Sequence, residues 1–295
     1  MLRREKGVTL IELLIAMVIS ALLVAAMYSF FMTQQRTYAV QDNVADMQQN
    51  ARMALLTLVH NVRMAGYGVP KFCALAPVNS TTGADGIFVS DPDRIQTLPA
   101  SEVFYAELNS DASQGATSIT VTVTDIDGDG NDDFAANGAF IISDGTNTEG
   151  IVISNNYSAG STTITFRSGY ILQHSYSATN TRVVPAIFYN VDPTSHELRE
   201  NGQPLALNIE DLQVSYQDNN GNWYCYDATH SAPPTDISSI RVVEVNVVAR
   251  AAVEDAKESN FRQPPLEDHT TSLNGPDGYR RRTLTTRVHV RNLGF

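Results

Sequence analysis

Hydrophobic and polar positions follow two different rules along this chain. From Leu13 to Met32 twenty consecutive residues carry no charge, which at helical rise gives ~30 Å, the thickness of a bilayer core. Beyond it the apolar positions thin to a stripe. Val44, Met47, Ala51, Ala54, Leu55, Leu58 and Val62 recur at spacings of three and four among Gln, Asn, Asp and Arg, the signature of a half-buried helix. No proline precedes Pro70, and no glycine lies between Gly7 and Gly66. The pattern therefore predicts one helix from Thr9 to Met64, ~84 Å long if straight, stopped by Gly66, Gly68 and Pro70.

After Pro70 the pattern changes to short alternating runs between Gly, Asn, Asp and Pro, which reads as β structure. Strands are expected over Ser118–Thr124, Ala139–Ser143, Gly150–Ser154, Thr162–Arg167, Leu212–Gln217, Arg241–Arg250 and Thr283–Arg291. In the last two, Val243, Val245 and Val247 share one face, as do Leu284, Thr286, Val288 and Val290. Long strands beside a long helix predict an α+β fold, the helix laid across an antiparallel sheet.

Arg3, Arg4 and Lys6 precede the apolar run, so the positive-inside rule keeps that end in the cytoplasm and sends everything after Met32 across the membrane. A secretory signal peptide with Val24-Ala25-Ala26 as its cleavage site shares these features. It gives no account of Glu12, a carboxylate near the start of an apolar run, where a charge is costly and tends to be functional.

Gly7-Val8-Thr9-Leu10-Ile11-Glu12 followed by an apolar helix resembles the prepilin signature of type IV pilins and type II secretion pseudopilins. The resemblance implies that a prepilin peptidase cuts after Gly7 and methylates the new amino group of Val8. It also implies that Glu12 meets the Val8 ammonium of a neighbouring subunit, so that the carboxylate waits for a partner only assembly provides. Val8 stands where phenylalanine or methionine is commoner, and Ser29 where many major pilins have a kinking proline. Both departures suit a minor pilin. From about Asn201 onward, "LALNIEDLQVSYQDNNGNWYCY", "ISSIRVVEVNVVAR" and "RRRTLTTRVHVRNLGF" resemble PilW-type minor pilins in order and character. The J-class pseudopilins share much of this.

The resemblance implies three parts: a leader at 1–7, a transmembrane and stalk helix at 8–64, and a β-rich headpiece at 65–295 with inserted hairpins over about 73–189. It implies a structural subunit held in the inner membrane by a single span, its headpiece in the periplasm, and later part of an extracellular pilus near the tip. Its partners would be the prepilin peptidase, other minor pilins, the major pilin and a PilY-type tip adhesin. A J-class pseudopilin and a tip-exposed binder of DNA or a surface stand as alternatives.

The net charge of −12, which becomes −14 without the leader's three basic and one acidic residues, disfavours general binding to nucleic acid. Arg280, Arg281, Arg282, Arg287 and Arg291 cluster near the end without an aromatic platform, and pairing with carboxylates is the simpler reading. "TDIDGDGNDDF" places Asp125, Asp127, Asp129, Gly130 and Asp133 at positions one, three, five, six and nine of a calcium loop. Ala136 stands at the twelfth, where the bidentate glutamate belongs, so a solvated acidic hairpin tip competes with calcium. No cofactor is otherwise required.

Cys73 and Cys225 would both face an oxidising compartment, which favours a disulfide over two separately buried thiols. No H-x-x-x-H, G-x-S-x-G or phosphate-cradling glycine loop points to catalysis, and the expectation is a protein that is not an enzyme.

Overall fold

The computed structural model describes residues 8–80, 83–91, 103–225, 236–255, 258–263, 265–266 and 276–294. The expected leader at 1–7, Gly7 included, lies outside them. Helix α1 runs unbroken over Leu10–Met64. The chain divides into two compact units, Met1–Asp46 and Met47–Phe295, with the boundary inside α1.

In the first unit the side chains of the apolar run are exposed, Leu10 by 77% and Phe30 by 66%. This stretch is long and apolar enough to cross a membrane. Its hydroxyls bond back to their own helix, Ser20 to the Ala16 carbonyl and Ser29 to that of Ala26. They need no polar partner in hydrocarbon.

In the second unit α1 buries Met47, Ala51, Ala54, Leu55, Leu58 and Val62, the stripe read from the sequence apart from the half-buried Val44, and adds one polar residue, Asn61. The helix ends as the glycines predict. Gly66 takes φ +80°, and its N–H donates to the Ser90 hydroxyl at 2.9 Å. The Asn292 amide donates to the terminal carbonyls of Met64 (3.0 Å) and Ala65 (3.3 Å), so the end of the chain caps the helix.

Among the described residues fourteen strands follow: β1 Leu75–Val78, β2 Gly86–Ser90, β3 Ala106–Glu107, β4 Ser118–Thr120, β5 Ala139–Ser143, β6 Thr148–Val152, β7 Thr163–Thr165, β8 Arg182–Asp192, β9 Glu197–Glu200, β10 Gln203–Leu207, β11 Ile209–Asp218, β12 Trp223–Tyr224, β13 Ile240–Arg250 and β14 Arg281–His289. An eight-stranded sheet follows the path β1-β2-β8-β5-β6, with β3 and β9 also on β8, and β10 on β9. A second sheet runs β12-β11-β13-β14, and β4 pairs with β7. All these pairs are antiparallel.

Two results of the strand reading stand out. Val243 faces Val288, Val245 faces Thr286 and Val247 faces Leu284, so the two alternating faces seen in the sequence are one face of the sheet. The centre of the large sheet was missed. Strand β8 is the run "RVVPAIFYNVD", buried without a break over Val183–Ile187, and a stretch covered on both sides shows no alternation. Pro185 further disguised it.

The span 73–189, expected as inserted hairpins, supplies β1 to β7 and most of β8. Part of it builds a core of its own around Phe134, Phe140, Ile153, Phe166, Leu172 and Tyr176. Asp85 ties the two sheets together. Its N–H donates to the Leu212 carbonyl at 2.7 Å, and its carboxylate accepts from the Val214 N–H at 3.0 Å.

Candidate functional site

The first site is the start of α1. Thr9 is the last residue before the helix, and its N–H and hydroxyl each donate to one oxygen of Glu12 at 2.8 Å. The Glu12 N–H donates back to the Thr9 hydroxyl at 3.3 Å. This is a reciprocal capping box. Before any assembly the carboxylate thus has local hydrogen bonds, while no opposite charge neutralises it among the described residues. Thr9 was missed as a functional residue, and its T-x-x-E spacing was the available signal. Val8, the expected first residue after processing, is 75% exposed.

The second site is the acidic loop between β4 and β5. Asp125 accepts from the N–H groups of Gly128, Asp129 and Gly130, and Asp127 from that of Asp129. These bonds fold the loop as a nest of aspartate turns. Carboxylate oxygens of Asp125, Asp127 and Asp133 lie within 4.8 Å of one another, close enough to share a cation. Asp129 is not in that group, which departs from the expected ligand set, and its oxygens instead take the Asn131 N–H and amide. Burial pushes the Asp133 carboxyl up to about 6, and the neighbouring charges of Asp127 and Asp125 add to this. Asp132 fastens the loop from outside, accepting from the Tyr157 hydroxyl at 2.8 Å and the Gly160 N–H at 2.6 Å.

The terminal arginines are largely paired. Arg281, its side chain 2% exposed, forks onto Glu210 and Asp277. Arg280 pairs with Asp255 at 2.8 Å and lies over the Phe261 ring, while Arg287 pairs with Glu244 and lies over Trp223.

Comparison with known proteins finds two family matches. Residues 2–28 match the prokaryotic N-terminal methylation motif, and residues 170–292 match the family of type IV pilus-assembly protein W. The chain carries a PilW-type region behind a prepilin-type N-terminus. The second match begins just before β8 and ends after β14, so it takes in the central strand of the large sheet and all of the smaller one. A solved type IV-like pilin from Thermus thermophilus resembles this chain at 11% identity and a TM-score of 0.36, over 83% of this chain and 96% of that one. No curated protein matches.

Proteins of the PilW family are structural, non-enzymatic subunits. The expected disulfide is not formed, since no bond joins Cys73 to Cys225. Cys73 packs among Val69, Ala76, Phe88 and Ile141, its thiol pushed far above the usual range by burial. Cys225 instead lines a small crevice with Pro77, Val78, Asp85, Val214 and Tyr216. The chain thus holds its two thiols in different surroundings, the alternative that spacing left open.

Proposed function

We propose that this chain is the precursor of a minor pilin that helps start or cap a type IV pilus near its tip. In this reading a prepilin peptidase cuts after Gly7 and methylates Val8. The apolar half of α1 then holds the protein in the inner membrane with the headpiece in the periplasm. Assembly stacks this helix against those of the major pilin and other minor pilins, and the headpiece contributes to displaying a PilY-type adhesin.

The observation that carries the reading is Glu12, a carboxylate on an apolar exposed helix whose partner among the described residues, Thr9, is uncharged. A charge so placed in lipid favours meeting an ammonium group, and the Val8 amine of a neighbouring subunit supplies one. The capping box holds the carboxylate at the helix start until that exchange. The acidic loop is a secondary part of the proposal: Asp125, Asp127 and Asp133, with Asp129 adjacent, offer hard oxygen ligands suited to calcium. An ion there would rigidify the loop without taking part in any chemistry.

The test is to count surface pili by electron microscopy in a strain lacking the gene, with and without a restored copy. Loss of pili reversed by the copy is the expected result. Normal pili together with failed protein secretion would move the chain to a J-class pseudopilin.

A further inference from the structure

Strand β14 ends the smaller sheet, and its outer edge is bare among the described residues. Its register with β13 is continuous over nine residues, without a bulge or a proline. Hydrogen bonds at the two ends set the parity. The Val290 N–H donates to the Arg241 carbonyl at 3.0 Å, and the Arg280 carbonyl accepts from the Ala251 N–H at 2.8 Å. Even-numbered residues therefore turn their N–H and C=O groups to β13, while Thr283, Thr285, Arg287 and His289 turn theirs outward. No backbone bond reaches these outward groups among the described residues, and Thr285, Arg287 and His289 are exposed. Sheet edges are usually blunted by brevity, bulges, proline or charge. Only charge protects this one, so whatever adds to it must answer that charge.

The charge has one sign. From Arg280 to Phe295 no acidic residue occurs, in a protein of net charge −12. Arg282 and Arg291 are exposed and pair with no carboxylate among the described residues. Arg287, its side chain 65% exposed, meets Glu244 of the adjoining strand. The two faces beside the edge differ. Thr285, Arg287 and His289 share a polar one, where the Thr285 hydroxyl donates to the Asn246 side chain at 2.6 Å. Leu284, Thr286 and Val288 share the other, in line with Val247, Val245 and Val243, and Leu284 and Thr286 are only half-buried. The apolar face of the sheet thus stops at β14 with a margin still uncovered.

We propose that β14 accepts an added strand from a partner protein, an extended segment in which acidic and apolar residues alternate. The outward row of N–H and C=O groups supplies the pairing that strand addition requires. In an antiparallel pair the residues opposite Thr285 and Arg287 lie on the polar face, where carboxylates offset the arginines. The residues between them lie beside Leu284 and Thr286 and extend the apolar face. A second copy of β14 fits badly, because it brings the same arginines and no carboxylate. Nucleic acid would answer the charge but leave the backbone row unpaired. The inference goes beyond the filament role and does not depend on Glu12.

The test uses the full chain in a neutral detergent, read by peptide binding and by amide hydrogen exchange. The probes are acetyl-Glu-Val-Glu-Val-Glu-amide, acetyl-Lys-Val-Lys-Val-Lys-amide, and the acidic peptide methylated on its backbone nitrogens. The acidic peptide should bind saturably and slow exchange across Thr283–His289, and the other two should bind at least about tenfold more weakly. Arg282→Gln combined with Arg291→Gln, both at exposed positions, should weaken the acidic peptide about tenfold. Thr285→Pro, which removes one outward N–H, should abolish the protection. Unchanged exchange in β8 reports that each variant stays folded. No binding at about 1 mM acidic peptide, equal binding of the lysine or the methylated peptide, or undiminished binding by both variants would overturn the proposal. So would a short oligothymidylate of equal charge that binds as tightly and protects the same amides.

Discussion

The Asn61 side-chain amide donates to the Tyr189 hydroxyl at 2.6 Å, and that hydroxyl donates onward to Glu200 at 2.9 Å. One polar residue in an otherwise apolar helical stripe is thus matched to one tyrosine on the central strand β8. The pair fixes the rotation and register of the helix where apolar contacts alone would tolerate slippage. Burial and the Glu200 charge hold the phenol far above its ordinary range, so it remains a donor at every pH the protein meets.

Removing that hydroxyl should therefore be costly. Tyr189→Phe leaves the buried Asn61 amide without this acceptor, and the headpiece should lose about 1–3 kcal/mol. Denaturant unfolding measures it; a loss near zero would mean that water replaces the bond.

Arg281 offers a larger effect. Its side chain and that of Glu210 are each 2% exposed, and the fork onto Asp277 joins β14 to the segment that precedes it. Arg281→Met should destabilise the headpiece by about 3–5 kcal/mol because the buried Glu210 carboxylate loses the guanidinium that offsets its charge. Adding Glu210→Met should restore much of the loss, since Asp277 can turn to water. If the double variant is no better than the single one, the cost lies elsewhere.

How much of this was legible in sequence depends on which physical signal each element carries. Helix α1 was readable because its stripe, its charge-free run and its glycine stop all agree. The strand pair β13 and β14 was readable because each buries one face and alternates. Strand β8 hides its role because both faces are covered. The capping box needed only the spacing of Thr9 and Glu12, but the membrane reading of Glu12 drew attention from it. The cysteines misled because compartment chemistry allowed a bridge, and only the fold could set their distance.

The helix end provides a backbone test. Gly66 has φ +80°, and a Cβ there would sit 3.3 Å from that of Ala74. Gly66→Ala should cost about 1–2 kcal/mol from the left-handed conformation alone. Asn292→Ala should also destabilise, by leaving the Met64 and Ala65 carbonyls uncapped. Thermal unfolding of both variants checks the assignment, and a neutral Gly66→Ala would contradict the geometry.

Asp133 makes the acidic loop sensitive to pH. Its folded value of about 6 lies above the ordinary aspartate value, so the folded state holds a proton that the unfolded state has released. Its contribution is fully present below the ordinary aspartate value and is lost as pH rises through about 6. Carboxyl carbon NMR without calcium should show Asp133 titrating near that value. Calcium at millimolar concentration should move the titration to lower pH and release heat. An unchanged titration with no heat would remove calcium from the account.

The central claim is that Glu12 joins subunits, and the most direct measurement restores a gene-deleted strain with either the parent chain or Glu12→Gln, then counts surface pili. The glutamine keeps the size and hydrogen-bonding capacity of the side chain but removes its charge. The account predicts that both forms reach the membrane at equal levels and that only the parent restores pili. Full piliation by Glu12→Gln would contradict it.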